Sequence, residues 1–155
     1  MDSWSIGIDI VEIDRFRKHN LKVQRKFYNR MFNDYEIFYC LKFKDPYPHF
    51  AGLFAAKEAV FKALNEFSNL GLYDIYIKHT KLGKPIVKPD FWESRDLPEK
   101  EFTIKVSISH TKVHAIAWAV VIKDKNTSQL KENWEKINNK IQSVIQDELA
   151  KEKNN

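Results

Sequence analysis

One stretch in the middle of this 155-residue chain restricts its fold more than any other. Residues 49–66 carry apolar side chains at spacings of three and four, which predicts an α-helix. The stretch is also rich in alanine, a good helix former whose small side chain leaves room for a close neighbour. We therefore expect a long central helix packed closely against a β-sheet. The alanines are Ala51, Ala55, Ala56, Ala59 and Ala63, and the larger apolar residues are Phe50, Leu53, Phe54, Val60, Phe61 and Leu64.

Three segments predict the main strands of that sheet. Residues 4–13 form a nearly continuous apolar run rich in Ile and Val, which is typical of a buried strand. Residues 102–110 alternate between apolar and polar side chains, as a half-buried strand does. Residues 113–122 are almost wholly apolar and partly β-branched, which favours a strand. The short turn at residues 110–112 makes the last two strands a predicted hairpin.

Short helices are expected between the first strand and the central helix. Asp14 can cap a helix that begins at Arg15, and Asn33 or Asp34 can cap the last of the short helices, which runs to about residue 42. The two prolines within residues 45–48 predict a break before the central helix.

A second, shorter pair of strands is expected at residues 74–80 and 86–88, joined by a turn that contains Gly83, Lys84 and Pro85. Because strands and helices follow one another in an irregular order, the sequence predicts an α+β fold, with a small antiparallel sheet against the long central helix. We place one domain at residues 1–123.

The last part of the chain, residues 124–155, is expected to form a linker and an amphipathic C-terminal helix. Its apolar residues lie close to a heptad pattern, so we expect the helix to pack on the domain or on a neighbouring subunit. These residues are Leu130, Trp134, Ile137, Ile141, Val144, Ile145 and Leu149.

Composition narrows the cellular setting. The chain has no apolar run of about 18 residues, so no membrane-spanning helix is predicted. Its N-terminal residues do not have the pattern of a secretory signal. The single cysteine, Cys40, excludes an internal disulfide and fits a reducing compartment. We therefore expect a cytoplasmic protein that does not bind membranes.

The net charge of +5 favours an acidic partner, and the positive charge is concentrated between residues 15 and 30. Four of these basic residues, Arg15, Lys18, Lys22 and Arg25, recur at helical spacing, which predicts one basic stripe on a helix. The ordinary structural interpretation is a solvated helix face. A nucleic-acid-binding module is an alternative, although the chain has no zinc-ligand spacing and no RNA-recognition signature.

Two acidic residues and a lysine form the clearest chemical pattern. Asp9 interrupts the first apolar strand, and Glu58 and Lys62 lie four residues apart on one face of the central helix. Magnesium prefers hard oxygen ligands, and a phosphate group prefers a nearby cation, so this set fits a magnesium-phosphate site. The structural alternatives are a carboxylate that caps a neighbouring helix and a surface salt bridge between Glu58 and Lys62.

Four sequence blocks, in order and at matching spacing, identify the chain as resembling the holo-acyl-carrier-protein synthases of the 4′-phosphopantetheinyl transferase superfamily. The resemblance covers about residues 4–122, and four blocks in order are a far more specific signal than any single one. The blocks are Gly7-Ile8-Asp9-Ile10-Val11-Glu12-Ile13, Phe54-Ala55-Ala56-Lys57-Glu58-Ala59 with Lys62-Ala63-Leu64, Gly83-Lys84-Pro85, and Val106-Ser107-Ile108-Ser109-His110-Thr111.

The resemblance implies an activity. A serine of an apo-acyl carrier protein attacks the β-phosphate of coenzyme A, and 3′,5′-ADP leaves. This reaction, part of fatty acid biosynthesis, would use Mg²⁺, with Mn²⁺ as a possible substitute. The resemblance also implies a homotrimer whose active sites lie between neighbouring subunits. No nucleic-acid partner is expected.

The resemblance also assigns site residues. It implies that Asp9 and Glu58 hold the metal and that Lys62 reaches the phosphate, which makes these three the catalytic set. The general base stays open between His110 and Glu58 acting through a water. Residues expected to contact coenzyme A are Lys57, Lys62, Gly83, Lys84, Pro85, Ser109 and His110. Residues expected to dock the carrier protein are Arg15, Lys18, Lys22 and Arg25.

The chain departs from the family in two places. The family commonly has a basic residue before Phe54, where this chain has Leu53, so one phosphate contact is missing or is supplied by another residue such as Lys57. The second departure is the segment after residue 127. Leu53 keeps open the alternative of a catalytically degenerate protein that only binds carrier protein or coenzyme A. The intact set of Asp9, Glu58 and Lys62 argues against that alternative.

Overall fold

The structure is a computed structural model that describes residues 4–65, 67, 70–88 and 102–123. The expected C-terminal helix and linker lie outside these residues. The described elements are, in chain order, β1 (Trp4–Glu12), α1 (Asp14–Arg17), α2 (Arg25–Asn29), α3 (Asp34–Leu41), α4 (Tyr47–Leu64), a 3₁₀ turn (Leu72–Asp74), β2 (Tyr76–His79), β3 (Pro85–Lys88), β4 (Phe102–His110) and β5 (His114–Lys123).

Three antiparallel strands form the main sheet, in the order β1-β5-β4. The central strand β5 places Ala119 opposite Gly7 of β1 on one side and opposite Val106 of β4 on the other. The predicted hairpin of β4 and β5 is confirmed. The α+β class, with a small antiparallel sheet, is confirmed as well.

The predicted pair of short strands is also present, as the separate hairpin of β2 and β3. Its turn contains Gly83 with a φ of 81°, a left-handed conformation that glycine adopts without steric cost. The strand expected from residue 74 begins only at Tyr76, because Leu72–Asp74 form a 3₁₀ turn whose Asp74 carboxylate accepts a hydrogen bond from Gly71 N–H at 2.9 Å.

The long helix α4 covers one face of the main sheet, as its alanines predict. Ala51, Ala55 and Ala59 are completely buried. The helix contacts β1 especially closely at Gly7, where an added Cβ would overlap the carbonyl of Ala59. Gly7 therefore sets the distance between the strand and the helix.

The start of α4 differs from the prediction. The helix begins at Tyr47, so residues 45–48 are not wholly a break. Pro46 is the capping residue and Pro48 lies in the first turn, where backbone N–H groups have no helical partner to lose. The prolines therefore start the helix instead of preceding it.

The capping predictions for the short helices had different outcomes. Asn33 caps α3 with a capping box: its side chain accepts a hydrogen bond from Glu36 N–H, and Glu36 accepts one from Asn33 N–H. The prediction for Asp14 was wrong. Asp14 is itself the first residue of α1, and the preceding Ile13 provides no side-chain cap.

The other face of the main sheet is apolar and exposed in the single chain. Ile6, Ile8 and Ile10 of β1 are 61%, 58% and 63% exposed, and Trp118 of β5 is 48% exposed. We call this surface, formed by Ile6, Ile8, Ile10, Ile116 and Trp118, the outer sheet face. Exposed apolar patches of this kind mark interaction surfaces. None of the helices within the described residues is long and apolar enough to cross a membrane.

Candidate active site

The close packing of β1 on α4 brings the predicted catalytic residues together. The ammonium group of Lys62 donates to Asp9 Oδ1 at 2.8 Å and to the carbonyl of Ile8 at 3.1 Å. The Asp9 side chain is only 17% exposed, so the ion pair is partly shielded from water. Lys62 therefore pairs across the strand-helix interface, which the spacing along the helix could not predict.

Glu58 lies beside this pair and is half-buried. Burial raises the pKa of its carboxyl group, and the negative charge of Asp9 raises that pKa further, while Lys62 and Arg15 lower it. The two carboxylates are thus close enough to repel each other. A cation placed between them would relieve that repulsion.

Asp9 and Glu58 line an open cleft of about 660 Å³, which we call the carboxylate cleft. Arg15 also lines it, with its guanidinium 4.8 Å from the centre of the Phe54 ring. Glu12 and His19 line it too, and sequence reasoning missed both. Glu12 lies three residues after Asp9 at the end of β1, and His19 lies just after α1. Their nearness to Asp9 along the sequence is the signal that was available.

The carboxylate cleft fits a magnesium ion by its chemistry. No group of three or more His, Cys, Asp or Glu side chains forms a complete metal site within the described ranges. Magnesium is commonly held by one or two carboxylates and completes its shell with water and substrate phosphates. The pair of Asp9 and Glu58, with an open cleft in front of it, therefore suits an ion that arrives with a phosphate ligand.

Lys57 requires a correction. Its ammonium group is completely buried and contacts Glu36 Oε2 at 2.7 Å and the carbonyl of Met31 at 2.7 Å. It lies inside the protein, bonded to the segment around α3, and not at the carboxylate cleft. Lys57 therefore cannot supply the phosphate contact that Leu53 leaves missing, and it is a structural residue.

The expected basic stripe also requires a correction. Helix α1 ends at Arg17 and α2 begins at Arg25, so Arg15, Lys18, Lys22 and Arg25 do not share one helix face. Arg15 and Lys18 line the carboxylate cleft. Lys22 and Arg25 are exposed further along the chain.

Three of the residues expected to contact coenzyme A lie away from the carboxylate cleft. His110, Gly83 and Pro85 line a second cavity of about 160 Å³, which we call the histidine cavity because His49 and His79 line it as well. Leu53, the departure from the family pattern, forms part of its wall.

Besides Lys57 and Lys62, two more of those predicted residues, Ser109 and Lys84, do not line the histidine cavity. Ser109 lies beside Ile8 and Trp118 on the outer sheet face, because successive residues of a strand point to opposite faces. Lys84 is exposed in the turn between β2 and β3.

Comparison with protein families places these features in context. Residues 5–121 match the model of the 4′-phosphopantetheinyl transferase superfamily. The chain is 38% identical over 116 residues to a holo-[acyl-carrier-protein] synthase from Thermodesulfovibrio yellowstonii, covering 75% of this chain and 96% of that protein. It is 42% identical over 117 residues to one from Clostridium botulinum (strain Eklund 17B), covering 75% and 94%.

Solved structures of such synthases have the same fold. The enzyme from Bacillus anthracis, in complex with CoA (3′,5′-ADP), matches with a TM-score of 0.60 and 31% identity, over 77% of this chain and 96% of that one. The enzyme from Helicobacter pylori, in complex with coenzyme A, matches with a TM-score of 0.59 and 33% identity, over 77% and 99%.

Proposed function

This chain belongs to the 4′-phosphopantetheinyl transferase superfamily, and from that premise we propose that it acts as a holo-acyl-carrier-protein synthase whose reacting groups are Asp9, Glu58 and Lys62. It transfers the 4′-phosphopantetheine group from coenzyme A to a serine of an apo-acyl carrier protein. The observation that carries the assignment of residues is the meeting of two carboxylates and a lysine where β1 packs on α4. The fatty acid pathway and the cytoplasm are the setting that we propose for this activity.

Each residue of the set has a distinct role in the proposed mechanism. Asp9 and Glu58 would hold a magnesium ion, which would supply charge neutralisation at the pyrophosphate. Lys62 is fixed by Asp9 and the Ile8 carbonyl, and it places its positive charge at the phosphoryl group that is transferred. Phosphoryl transfer depends mainly on such positioning and charge neutralisation.

Glu58 also suits the movement of the proton. The serine oxygen forms a bond to the β-phosphorus, the bond from that phosphorus to 3′,5′-ADP breaks, and the serine proton must leave. Glu58 lines the carboxylate cleft, so its carboxylate lies where the transfer would take place and can accept that proton. We assign Glu58, directly or through a water, as the acceptor.

We propose that the active form is a homotrimer with shared sites. Two observations support this proposal. The outer sheet face is apolar and exposed in the single chain, and the carboxylate cleft and the histidine cavity have no lining residue in common. A site completed by the histidine cavity of a neighbouring subunit would bring the two parts together across that interface.

The acidic carrier protein is proposed to dock beside the carboxylate cleft. Arg15 and Lys18 line the cleft, and Lys22 and Arg25 extend the positive surface beyond it. Complementary charge mainly speeds association and fixes orientation, so the rate of docking should fall as salt concentration rises.

The decisive experiment is mass spectrometry of an apo-acyl carrier protein incubated with the protein, coenzyme A and magnesium. We expect the carrier protein to gain the mass of one phosphopantetheine, and EDTA to prevent the gain. The variant Asp9→Asn should lower kcat/KM by about 100-fold or more, because it removes a charge that both the metal and Lys62 require. Asp14→Asn, a matched change on the exposed start of α1, should retain activity. No mass gain with several carrier proteins would instead favour the degenerate binder.

A further inference from the structure

The end of α1 is held by a side chain that does not line the carboxylate cleft. The hydroxyl of Tyr28, in α2, donates to the carbonyl of His19 at 2.7 Å and also to the carbonyl of Phe16 at 3.1 Å. The Tyr28 side chain is completely buried. Its hydroxyl therefore connects the backbone at the end of α1 to the interior of the domain.

A helix as short as α1 depends on contacts of this kind. A single helical turn forms few hydrogen bonds for the backbone freedom that it loses, so it is not stable by itself. Residues 18–24, which follow α1, are all exposed or only half-buried, so they bury little surface that could hold the helix end. The last carbonyl groups of a helix also lack helical partners, and Tyr28 supplies a donor at that end.

The neighbouring residue of α2 contacts the same segment through its ring. Phe27 stacks on His19 with the ring centres 4.1 Å apart and the planes 9° from parallel. The His19 ring is bonded through Nδ1 to the carbonyl of Arg15 at 2.8 Å, and because a carbonyl oxygen only accepts, Nδ1 carries the proton. Two adjacent side chains of α2 thus hold both the backbone and a side chain at the end of α1.

Tyr28 is itself fixed from the opposite side. Its ring lies 4.7 Å from that of Phe50, a residue of α4, measured between ring centres. Burial raises the pKa of its hydroxyl group, so the group keeps its proton and remains a donor. Tyr28 therefore connects α1 to the helix that carries Glu58 and Lys62.

Another polar contact of α1 is more exposed. Arg17 contacts Asp45 at 2.6 Å, but both side chains are open to water. Exposed ion pairs contribute little, because solvent screens them and their long side chains lose freedom on pairing. We therefore expect the buried hydroxyl of Tyr28 to decide where the end of α1 lies.

We propose that Tyr28 is a positioning residue for docking of the carrier protein, because its hydroxyl fixes the end of α1 that presents Arg15, Lys18 and His19 to the carboxylate cleft. These three residues line the cleft, and Tyr28 does not. The inference rests on the proposed function for the identity of the partner. It adds to that function a buried residue that acts only through α1.

Tyr28→Phe removes one oxygen atom and keeps the ring. We expect the KM for apo-acyl carrier protein to rise about fivefold, which corresponds to about one ordinary hydrogen bond, while kcat and the KM for coenzyme A stay within about twofold. The effects divide in this way because Asp9, Glu58 and Lys62 belong to β1 and α4. Tyr73→Phe removes a hydroxyl from an exposed tyrosine of the 3₁₀ turn and should behave like the wild type.

A double-variant cycle with Lys18→Gln separates positioning from general destabilisation. If Tyr28 acts by placing Lys18 and its neighbours, part of its effect is lost once Lys18 is replaced. The two changes together should then raise the KM for the carrier protein by less than the product of their separate effects.

Hydrogen exchange measured by mass spectrometry gives a readout without turnover. Residues 14–19 should exchange about fivefold faster in Tyr28→Phe, because opening of α1 becomes easier, whereas β5 should exchange at the wild-type rate. A general loss of stability would instead raise exchange in both segments.

Three results would overturn the inference: an unchanged KM for the carrier protein in Tyr28→Phe, KM values for both substrates that rise together, or effects of Tyr28→Phe and Lys18→Gln that multiply. With transfer by the wild type intact, each of these results leaves the proposed function standing. A wild-type protein that transfers no phosphopantetheine would overturn the proposed function, and the docking role of Tyr28 with it.

Discussion

At the scale of single residues, opposing electrostatic effects in the carboxylate cleft set the pKa of Glu58. Burial and Asp9 favour the protonated carboxyl group, while Lys62 and Arg15 favour the carboxylate. Only the carboxylate can bind a metal ion or accept a proton. The groups that surround Glu58 therefore set the lowest pH at which the protein works.

This balance predicts a shift in the pH profile. Activity should fall as pH drops through the raised pKa of Glu58. Replacing Arg15 by Gln removes a group that lowers this pKa, so the acidic limb of the profile should move to higher pH. The displacement should be smaller at high salt, because Arg15 is exposed.

The measurement is the pH dependence of kcat/KM for coenzyme A. Lys18→Gln is the matched control, because Lys18 lines the same cleft but is not among the groups that shift the pKa of Glu58. An acidic limb that stays in place in Arg15→Gln would contradict the prediction, whatever happens to the absolute rate.

A second prediction concerns Lys57. Its replacement by Met should destabilise the fold by about 3 kcal/mol, because it leaves the buried Glu36 without its cation. The double variant Lys57→Met with Glu36→Gln should recover much of that loss, since it removes both buried charges. Urea unfolding measures both. A Lys57→Met variant that is as stable as the wild type but binds coenzyme A poorly would restore the original assignment to the site.

Sequence reasoning found Asp9, Glu58 and Lys62 because each stands in a local pattern: an acid within an apolar strand, and an i,i+4 pair on a helix. It failed at Lys57 because the partner, Glu36, lies 21 positions earlier and only the tertiary fold brings the two together. The same limitation hid the histidine cavity, whose three imidazoles come from α4, β2 and β4.

At the scale of elements, the contact between β1 and α4 positions the site. Gly7 lets the strand approach the helix, and Asp9 follows two residues later on the same face of β1. The distance from Asp9 to Glu58 thus depends on a residue that carries no chemical group of its own.

Gly7→Ala tests this dependence. The added methyl group would overlap the Ala59 carbonyl, so strand and helix must separate, at a cost of about 2 kcal/mol in the free energy of unfolding. We also expect the protein to bind magnesium more weakly and to have a lower kcat, because the two carboxylates move apart. Ser5→Ala on the same strand adds no atoms and serves as the control. Full activity in Gly7→Ala would show that the site does not need this close contact.

The elements themselves were largely predictable where the hydrophobic period is long and regular. The eighteen residues of α4 and the hairpin of β4 and β5 follow from their patterns. The start of α4 did not, because proline is read as a helix breaker but is accepted in a first turn. The prediction of one basic stripe was wrong because α1 ends after one turn, and the helical spacing of the basic residues between positions 15 and 25 does not indicate where a helix ends.

At the scale of the whole molecule, the outer sheet face is the apolar surface that the single chain leaves uncovered. A row of isoleucines on β1 and Trp118 on β5 expose apolar surface that a neighbouring subunit could cover. In the proposed trimer, that surface would also be the boundary at which two different sites meet.

Ile8→Glu should therefore dissociate the proposed trimer, because it places a charge at the centre of the outer sheet face. Light scattering coupled to size-exclusion chromatography measures the mass, and the transfer assay should show a parallel loss of activity. Leu82→Glu, in the exposed turn between β2 and β3, is the control and should keep both. A wild-type protein that is monomeric and fully active would contradict the shared-site proposal.

The buried pair of Lys57 and Glu36 has a consequence for how this chain can change over generations. Glu36 also accepts hydrogen bonds from the backbones of Asn33 and Ile77, so losing it disturbs three segments at once. A lineage that replaces either charge first must pass through an intermediate with an uncompensated buried ion. Descendants of this sequence should accordingly keep both residues or lose both together, and a population containing only one of the two changes should be short-lived.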